Sequence, residues 1–302
     1  MEIVKLKPVF KNYLWGGHKL ESFNKHDEGR IIAESWEASI HKDGLSLIDS
    51  GSDKGKTFLQ YLNEHKEYLG KDLKEFPILI KFINSLKPLS VQVHPNDEYA
   101  LKYENDHGKT ECWYIVDADE GSFIYLGVKR NITKQELKEK INDGTLTDVL
   151  NKVYVKKGDL YLIEAGTIHS IGEGVVILET QQSSNVTYRL YDYKRKDEFG
   201  NERKLHIDKA LDVAVLEPKE YVSNSSIKTD YFDISIIDVK DTKTIKTGDY
   251  FNVITVVDGS GNINSIEINK GDTLFIPYGI DEYILKGNMK IIKTTKLKVI
   301  SW

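Results

Sequence analysis

Cysteine is almost absent: Cys112 stands alone in 302 residues. An intramolecular disulfide is therefore impossible, and a reducing, cytoplasmic setting is the expectation. No stretch approaches the roughly 18 consecutive apolar residues that a membrane helix needs, so no membrane partner is expected. A basic surplus is missing too. The formal net charge is −5, from 42 Lys and Arg against 47 Asp and Glu. That balance argues against a nucleic-acid partner, because neutralising phosphates needs a basic face. An anionic small molecule would instead need a local cluster of Lys or Arg. The opening MEIVKLKPVFKNYLWGGHKL lacks an apolar run followed by a small-residue cleavage site, so no secretion signal is expected.

What is present points to a globular β protein. Hydrophobic residues make up 40% of the chain and charged residues 29%, with none of the bias of disordered segments. The length allows one large domain or two ordinary ones. Short runs such as SVQVH, SFIYLGV, GVVILET and FNVITVV, set off by Gly, Asn and Asp, predict strands joined by turns. Helical spacing is confined to a few places. Thr133 to Asn142 carries Thr133 and Glu136 at capping-box spacing, with Leu137 and Ile141 on one face. A second helix is predicted from Phe58 to about Tyr68, capped by Thr57 and ended near Gly70. A third, short one follows Pro95, with Asn96 or Asp97 as its cap.

The chain also repeats itself. Gly158-Asp-Leu-Tyr-Leu-Ile-Glu-Ala-Gly166-Thr-Ile-His169 returns in outline as Gly271-Asp-Thr-Leu-Phe-Ile-Pro-Tyr-Gly279-Ile-Asp-Glu282. Where the first copy has His169 the second has Glu282, so only the first is equipped as a metal site. The polar segment EPKEYVSNSSIKTD breaks the periodicity, which places a boundary near residue 225, between a catalytic region 1–225 and a C-terminal region 226–302 without metal. Gly51-Ser-Asp-Lys-Gly55-Lys-Thr57 is one residue short of a phosphate-binding loop and is read as a turn and a helix cap. Gly172-Glu-Gly174 is read as a hairpin turn.

Strand parity gathers a group of ligands. In Ser90-Val-Gln-Val-His-Pro95 alternation puts Gln92 and His94 on one face and Val91 and Val93 on the other. In Lys109-Thr-Glu111-Cys-Trp113 it puts Lys109, Glu111 and Trp113 together and turns Cys112 away. Catalytic zinc sites commonly use two His and one Glu at about 2 Å with a position left open. His94, Glu111 and His169 supply that set, and Gln92 can add an amide oxygen. Each of these residues alone is more often structural; their joint placement points to a metal.

Ile80-Lys-Phe-Ile-Asn-Ser-Leu-Lys-Pro-Leu-Ser-Val-Gln-Val-His-Pro-Asn-Asp-Glu-Tyr-Ala100, Gly108-Lys-Thr-Glu-Cys-Trp-Tyr114, Ala165-Gly-Thr-Ile-His169 and Glu179-Thr-Gln-Gln-Ser-Ser-Asn-Val-Thr-Tyr-Arg-Leu-Tyr-Asp192 closely resemble the type I mannose-6-phosphate isomerases in their short bacterial form. Leu14-Trp-Gly-Gly17 and Glu34-Ser-Trp-Glu37 extend the match, which covers most of residues 1 to 210. The resemblance implies two cupin-type jelly-roll β-barrels with a few accessory helices. It implies one zinc ion per chain on Gln92, His94, Glu111 and His169, a sugar phosphate as substrate, an active-site role for Arg189, and Lys109 beside the metal.

The implied reaction moves hydrogen between C2 and C1 of a sugar phosphate through a cis-enediolate, whose negative charge a Lewis acid stabilises. Two proton carriers are candidates: Lys109 shares a face with Glu111, and Glu179 needs less adjustment to serve as a base. Arg189 fits an electrostatic role, since guanidinium is a poor base. Ser90, Lys109 and Arg189 are the candidates for the phosphate. The rival readings are a non-catalytic sugar- or metal-binding bicupin and an iron-dependent cupin oxygenase.

Overall fold

The computed structural model describes residues 1–196 and 199–296. The architecture is mainly β with a few short helices, and none of the described helices is long and apolar enough to cross a membrane. Contacts divide the chain into two compact units. One comprises Met1–Lys11, His18–Phe82 and Ser225–Trp302, and the other Asn12–Gly17 and Ile83–Asn224. This division differs from a cut at residue 225. Residues 18–82 belong with the C-terminal strands, and the last six residues of the region 226–302 lie outside the described ones.

The unit containing Ile83–Asn224 is built on two sheets. Leu160–Ile163, Glu111–Ala118 and Val175–Gln182 are neighbours in one; Tyr188–Tyr191, Val91–Val93, His169–Ile171, Phe123–Val128 and Leu150–Tyr154 follow in order in the other. Val91 and Val93 are fully buried in an apolar cluster with Val128, Leu137, Ile141 and Leu190. Burying each valine contributes about 1.5–3 kcal/mol. Because side chains alternate along a strand, this anchoring turns Gln92 to the opposite face. The helix Lys134–Asn142 covers the apolar side; Thr133 caps it by accepting the Glu136 N–H, and Leu137 and Ile141 are its buried residues.

The turn at Gly172–Gly174 is not a hairpin. Its flanking strands, His169–Ile171 and Val175–Gln182, lie in different sheets, so the turn carries the chain from one sheet to the other. Alternation in a sequence predicts strands but not which sheet each one joins.

The other unit holds an eight-stranded sheet in which Val4–Lys7 pairs with Thr273–Ile276 and the long strands Asp233–Lys246 and Asn252–Ile263 flank Glu282–Thr295. Phe58, Phe76, Phe251 and Phe275 meet there with ring centroids 4.9–6.3 Å apart. The helix expected to run to Tyr68 stops at Glu64, and a 3₁₀ segment, Lys66–Leu69, takes over after His65 leaves helical geometry. Thr57 starts the helix with a complete capping box, Gln60 returning the bond, so Gly51–Thr57 is a turn and a cap.

The Gly-Asp turn of the internal repeat makes the same pair of backbone bonds in both copies. Gly158 N–H donates to Ile115 O at 2.8 Å while Ile115 N–H donates to Asp159 O at 2.8 Å. In the other unit Gly271 N–H donates to Val256 O at 2.8 Å and Val256 N–H to Asp272 O at 2.9 Å. Both glycines have positive φ, which a side chain disfavours. The copies part at their ends, where His169 is fully buried and Glu282 is exposed.

Candidate metal centre

His94 lies just past the strand Val91–Val93, and Pro95 stops the ladder behind it. Asn96 then caps the helix Asp97–Tyr103 by accepting the Tyr99 N–H at 3.0 Å, so the chain turns sharply away and leaves the imidazole at the strand end. Gln92 is paired with His169 on one side and with Arg189 on the other, which places three polar side chains in one cross-strand row. Glu111 opens its strand, paired with Ile163 and Gln181.

These strands bring His94, Glu111 and His169 together, with one ligand atom from each within 4.8 Å of the others. His94 Nε2 is 3.5 Å from Glu111 Oε2, and His169 Nε2 is 3.3 Å from Glu111 Oε1. Each imidazole is held from behind. His94 Nδ1 meets Val186 O at 2.8 Å and His169 Nδ1 meets Thr167 O at 2.8 Å. A backbone carbonyl can only accept, so each Nδ1 carries the proton and each Nε2 presents its lone pair toward Glu111. Burial, then the nearby Lys109 charge, pushes the His169 pKa down to about 3 and keeps the ring neutral.

The residues therefore fit a divalent cation such as zinc: two neutral imidazole nitrogens and a carboxylate, none of them exposed by more than 1%. The Gln92 side chain lies at the edge of the group, its amide nitrogen Nε2 3.3 Å from His169 Nε2. Lys109 Nζ sits 3.0 Å from His94 Nε2 and 2.5 Å from Glu111 Oε2, so its ammonium is accommodated between two members of the group. A second group, Asp53, Glu64 and His65, belongs to the other unit, where Lys56 Nζ pairs with both carboxylates at 2.7 and 2.5 Å.

Lys109 and Glu179 adjoin this group. Lys109 Nζ is 3.6 Å from Glu179 Oε1, and Glu179 Oε2 accepts the Trp113 indole N–H at 3.0 Å. Both charged groups are at least 96% buried. An ammonium and a carboxylate thus stand side by side next to the His94–Glu111–His169 group, both buried.

Arg189, the cross-strand partner of Gln92, has other hydrogen-bond partners. Its Nη1 donates to Lys204 O at 2.9 Å, and its backbone N–H donates to His206 Nδ1 at 3.1 Å. Burial and the neighbouring Arg203 lower its pKa, against the opposing charge of Asp192. Ser90 is buried one residue before the strand Val91–Val93.

Several contributors escape a reading of the sequence. Asp192 accepts two hydrogen bonds from Arg203, both at 2.6 Å, and a third from Arg195. Arg195 also donates to Pro88 O at 2.7 Å, two residues before Ser90. With Asn12, Tyr13, Leu14, Trp15 and Lys196 these side chains line a cavity of about 140 Å³. The basic run Tyr193-Lys-Arg195-Lys196 was the available signal, but a charge run alone does not separate a lined cavity from a solvated face. Trp113 was visible by parity, though not its bond to Glu179.

The chain matches the family described as phosphomannose isomerase type I, catalytic domain, over residues 3–125, and mannose-6-phosphate isomerase, cupin domain, over residues 223–296. It is 36% identical to the mannose-6-phosphate isomerase ManA of Bacillus subtilis (strain 168) over 304 residues, covering 95% of this chain and 96% of that protein. The crystal structure of mannose 6-phosphate isomerase from Bacillus subtilis superposes with a TM-score of 0.92 at 32% identity, over 97% of this chain and 99% of that one. A zinc-bound mannose 6-phosphate isomerase shares the fold with a TM-score of 0.80 at 16% identity, over 98% and 100% of the two chains.

Proposed function

The chain belongs to the type I mannose-6-phosphate isomerase family, and we propose that it interconverts D-mannose 6-phosphate and D-fructose 6-phosphate using one zinc ion held by Gln92, His94, Glu111 and His169. The observation that carries the reading is the buried His94–Glu111–His169 group with Lys109 and Glu179 against it. We include in the proposal that the cupin match extends to a jelly-roll barrel in each unit, with the metal in the one containing Ile83–Asn224.

Bound zinc would supply a Lewis acid for the sugar oxygens on C1 and C2, where charge develops as the enediolate forms. The protein's own part is proton movement. A proton leaves C2 of mannose 6-phosphate and one is returned to C1. Glu179 is suited to hold it, because the Trp113 indole fixes one carboxylate oxygen and leaves the other facing Lys109. Lys109 lies between Glu111 and Glu179 and balances the two carboxylates, and it is the second candidate for the proton.

Arg189, across the strand pair from Gln92, supplies positive charge to the enediolate or to the phosphate. Ser90 and Arg189 are the residues proposed for the phosphate. Lys109 was a third candidate and is better placed for the reacting carbons. Arg195, bonded beside Ser90 at Pro88, adds charge at that end.

A coupled assay for fructose 6-phosphate, run with metal analysis of the purified protein, tests the proposal. Near-stoichiometric zinc together with turnover of mannose 6-phosphate is expected. Zinc without turnover would favour a non-catalytic binding protein, and iron with oxygen consumption an oxygenase.

A further inference from the structure

The strand that carries Glu179 ends in two glutamines. Gln181 is fully buried and paired across the sheet with Glu111. Its amide nitrogen donates to Gln182 O at 2.9 Å and to Ser184 O at 2.5 Å. Two carbonyls of the following turn therefore converge on one side chain. Ser184 Oγ donates to His107 O at 2.8 Å and receives the Val186 N–H at 3.3 Å. Val186 then delivers its carbonyl to His94 Nδ1 at 2.8 Å.

The orientation of the amide is fixed by chemistry. A flip would set the Gln181 oxygen against two carbonyl oxygens, none of which can donate. The next residue ties down the opposite side: Gln182 Oε1 accepts the Thr110 N–H at 2.8 Å, and its Nε2 donates to Asp97 Oδ1 at 3.0 Å. Thr110 lies between Lys109 and Glu111, and Asp97 opens the helix that follows His94.

We propose that Gln181 is a positioning residue for His94, acting through the turn from Gln182 to Val186. Partners that hold the far nitrogen of a ligating histidine set its tautomer and ring orientation, and losing one typically weakens metal binding by about 10–100-fold. A side chain that served only to fill space at Gln181 would be replaceable by an apolar residue of similar volume. The inference rests on the metal reading above.

The test measures zinc affinity of metal-stripped protein by competition with a chromophoric chelator, after circular dichroism establishes folding. The wild type is compared with Gln181→Met, which keeps volume and removes both donors, and Ser184→Ala, which removes the next link. Thr133→Ala is the control, because it deletes a helix cap in the same unit and leaves the turn intact. The expected result is zinc binding weaker for Gln181→Met by up to the roughly 10–100-fold that loss of a direct partner costs, weaker binding for Ser184→Ala, and wild-type affinity for Thr133→Ala. Should Gln181→Met not fold, Ser184→Ala carries the test. Wild-type affinity in the folded turn variants overturns the role of Gln181 and leaves the metal site standing. Failure of the wild type to bind zinc overturns the metal reading, and the inference with it.

Discussion

Trp113 and Glu179 face each other on paired strands, and the indole N–H donates to the carboxylate at 3.0 Å with both side chains buried. The same tryptophan lies edge-on to the His169 ring, centroids 5.4 Å apart, so one side chain touches both the proposed proton carrier and a proposed ligand. Replacing Trp113 with Phe keeps most of the ring and removes the donor. A hydrogen bond to a charged group contributes about 1.5–3 kcal/mol, so kcat should fall about 10–100-fold while zinc content stays near that of the wild type. Unchanged kcat would remove Trp113 from the positioning of Glu179.

Glu111 and Arg189 should separate metal binding from turnover. Glu111→Ala removes the carboxylate shared by both histidines and is expected to lose metal and activity together. Arg189→Ala leaves the ligand group intact and should keep its zinc while losing turnover by about 10²-fold or more, the size typical of a transition-state charge partner. Metal analysis beside steady-state kinetics reads both, and normal turnover in Arg189→Ala would take Arg189 out of the mechanism.

Much of this site was legible from strand parity. Alternation alone set Gln92 beside His94 and Lys109 beside Glu111, and the repeat singled out His169 over Glu282. The carbonyls of Val186 and Thr167 were not legible, because a backbone acceptor carries no residue signature. Nor was the composition of the two units: Val4 pairs with Phe275, and nothing local to either residue encodes a partner that far along the chain. The missed break at His65 and the sheet change at Gly172–Gly174 have a similar origin. Periodicity names an element, while packing decides where it ends and what it joins.

Gly166 links the metal centre to its surroundings, its N–H donating to His94 O at 2.8 Å with φ at +88°. An added Cβ would lie 2.9 Å from Val213 O and 3.0 Å from Val215 Cγ2. Gly166→Ala should therefore destabilise the protein by at least the left-handed backbone cost of about 1–2 kcal/mol and weaken zinc binding as well. Denaturant unfolding and chelator competition measure the two effects.

Acid should dismantle the Asp192 clamp. Burial alone would raise the Asp192 pKa, but the hydrogen bonds from Arg203 and Arg195 outweigh it and hold the carboxyl below its ordinary value of 3.8. A carboxyl with a depressed folded-state pKa stabilises above its unfolded value, and that contribution is lost as pH falls through the folded one. The stability gap between the wild type and Asp192→Asn should thus be full, about 1.5–3 kcal/mol, at neutral pH and close below pH 3.8. Urea unfolding of both proteins across that range tests the sign; a gap that widened in acid would contradict it.

The central claim is tested most directly by following fructose 6-phosphate formation from mannose 6-phosphate before metal removal, after exhaustive chelation, and after zinc is returned. The account predicts that turnover is lost with the metal and recovered as one zinc per chain is restored. Protein freed of metal that isomerised mannose 6-phosphate at the original rate would contradict it.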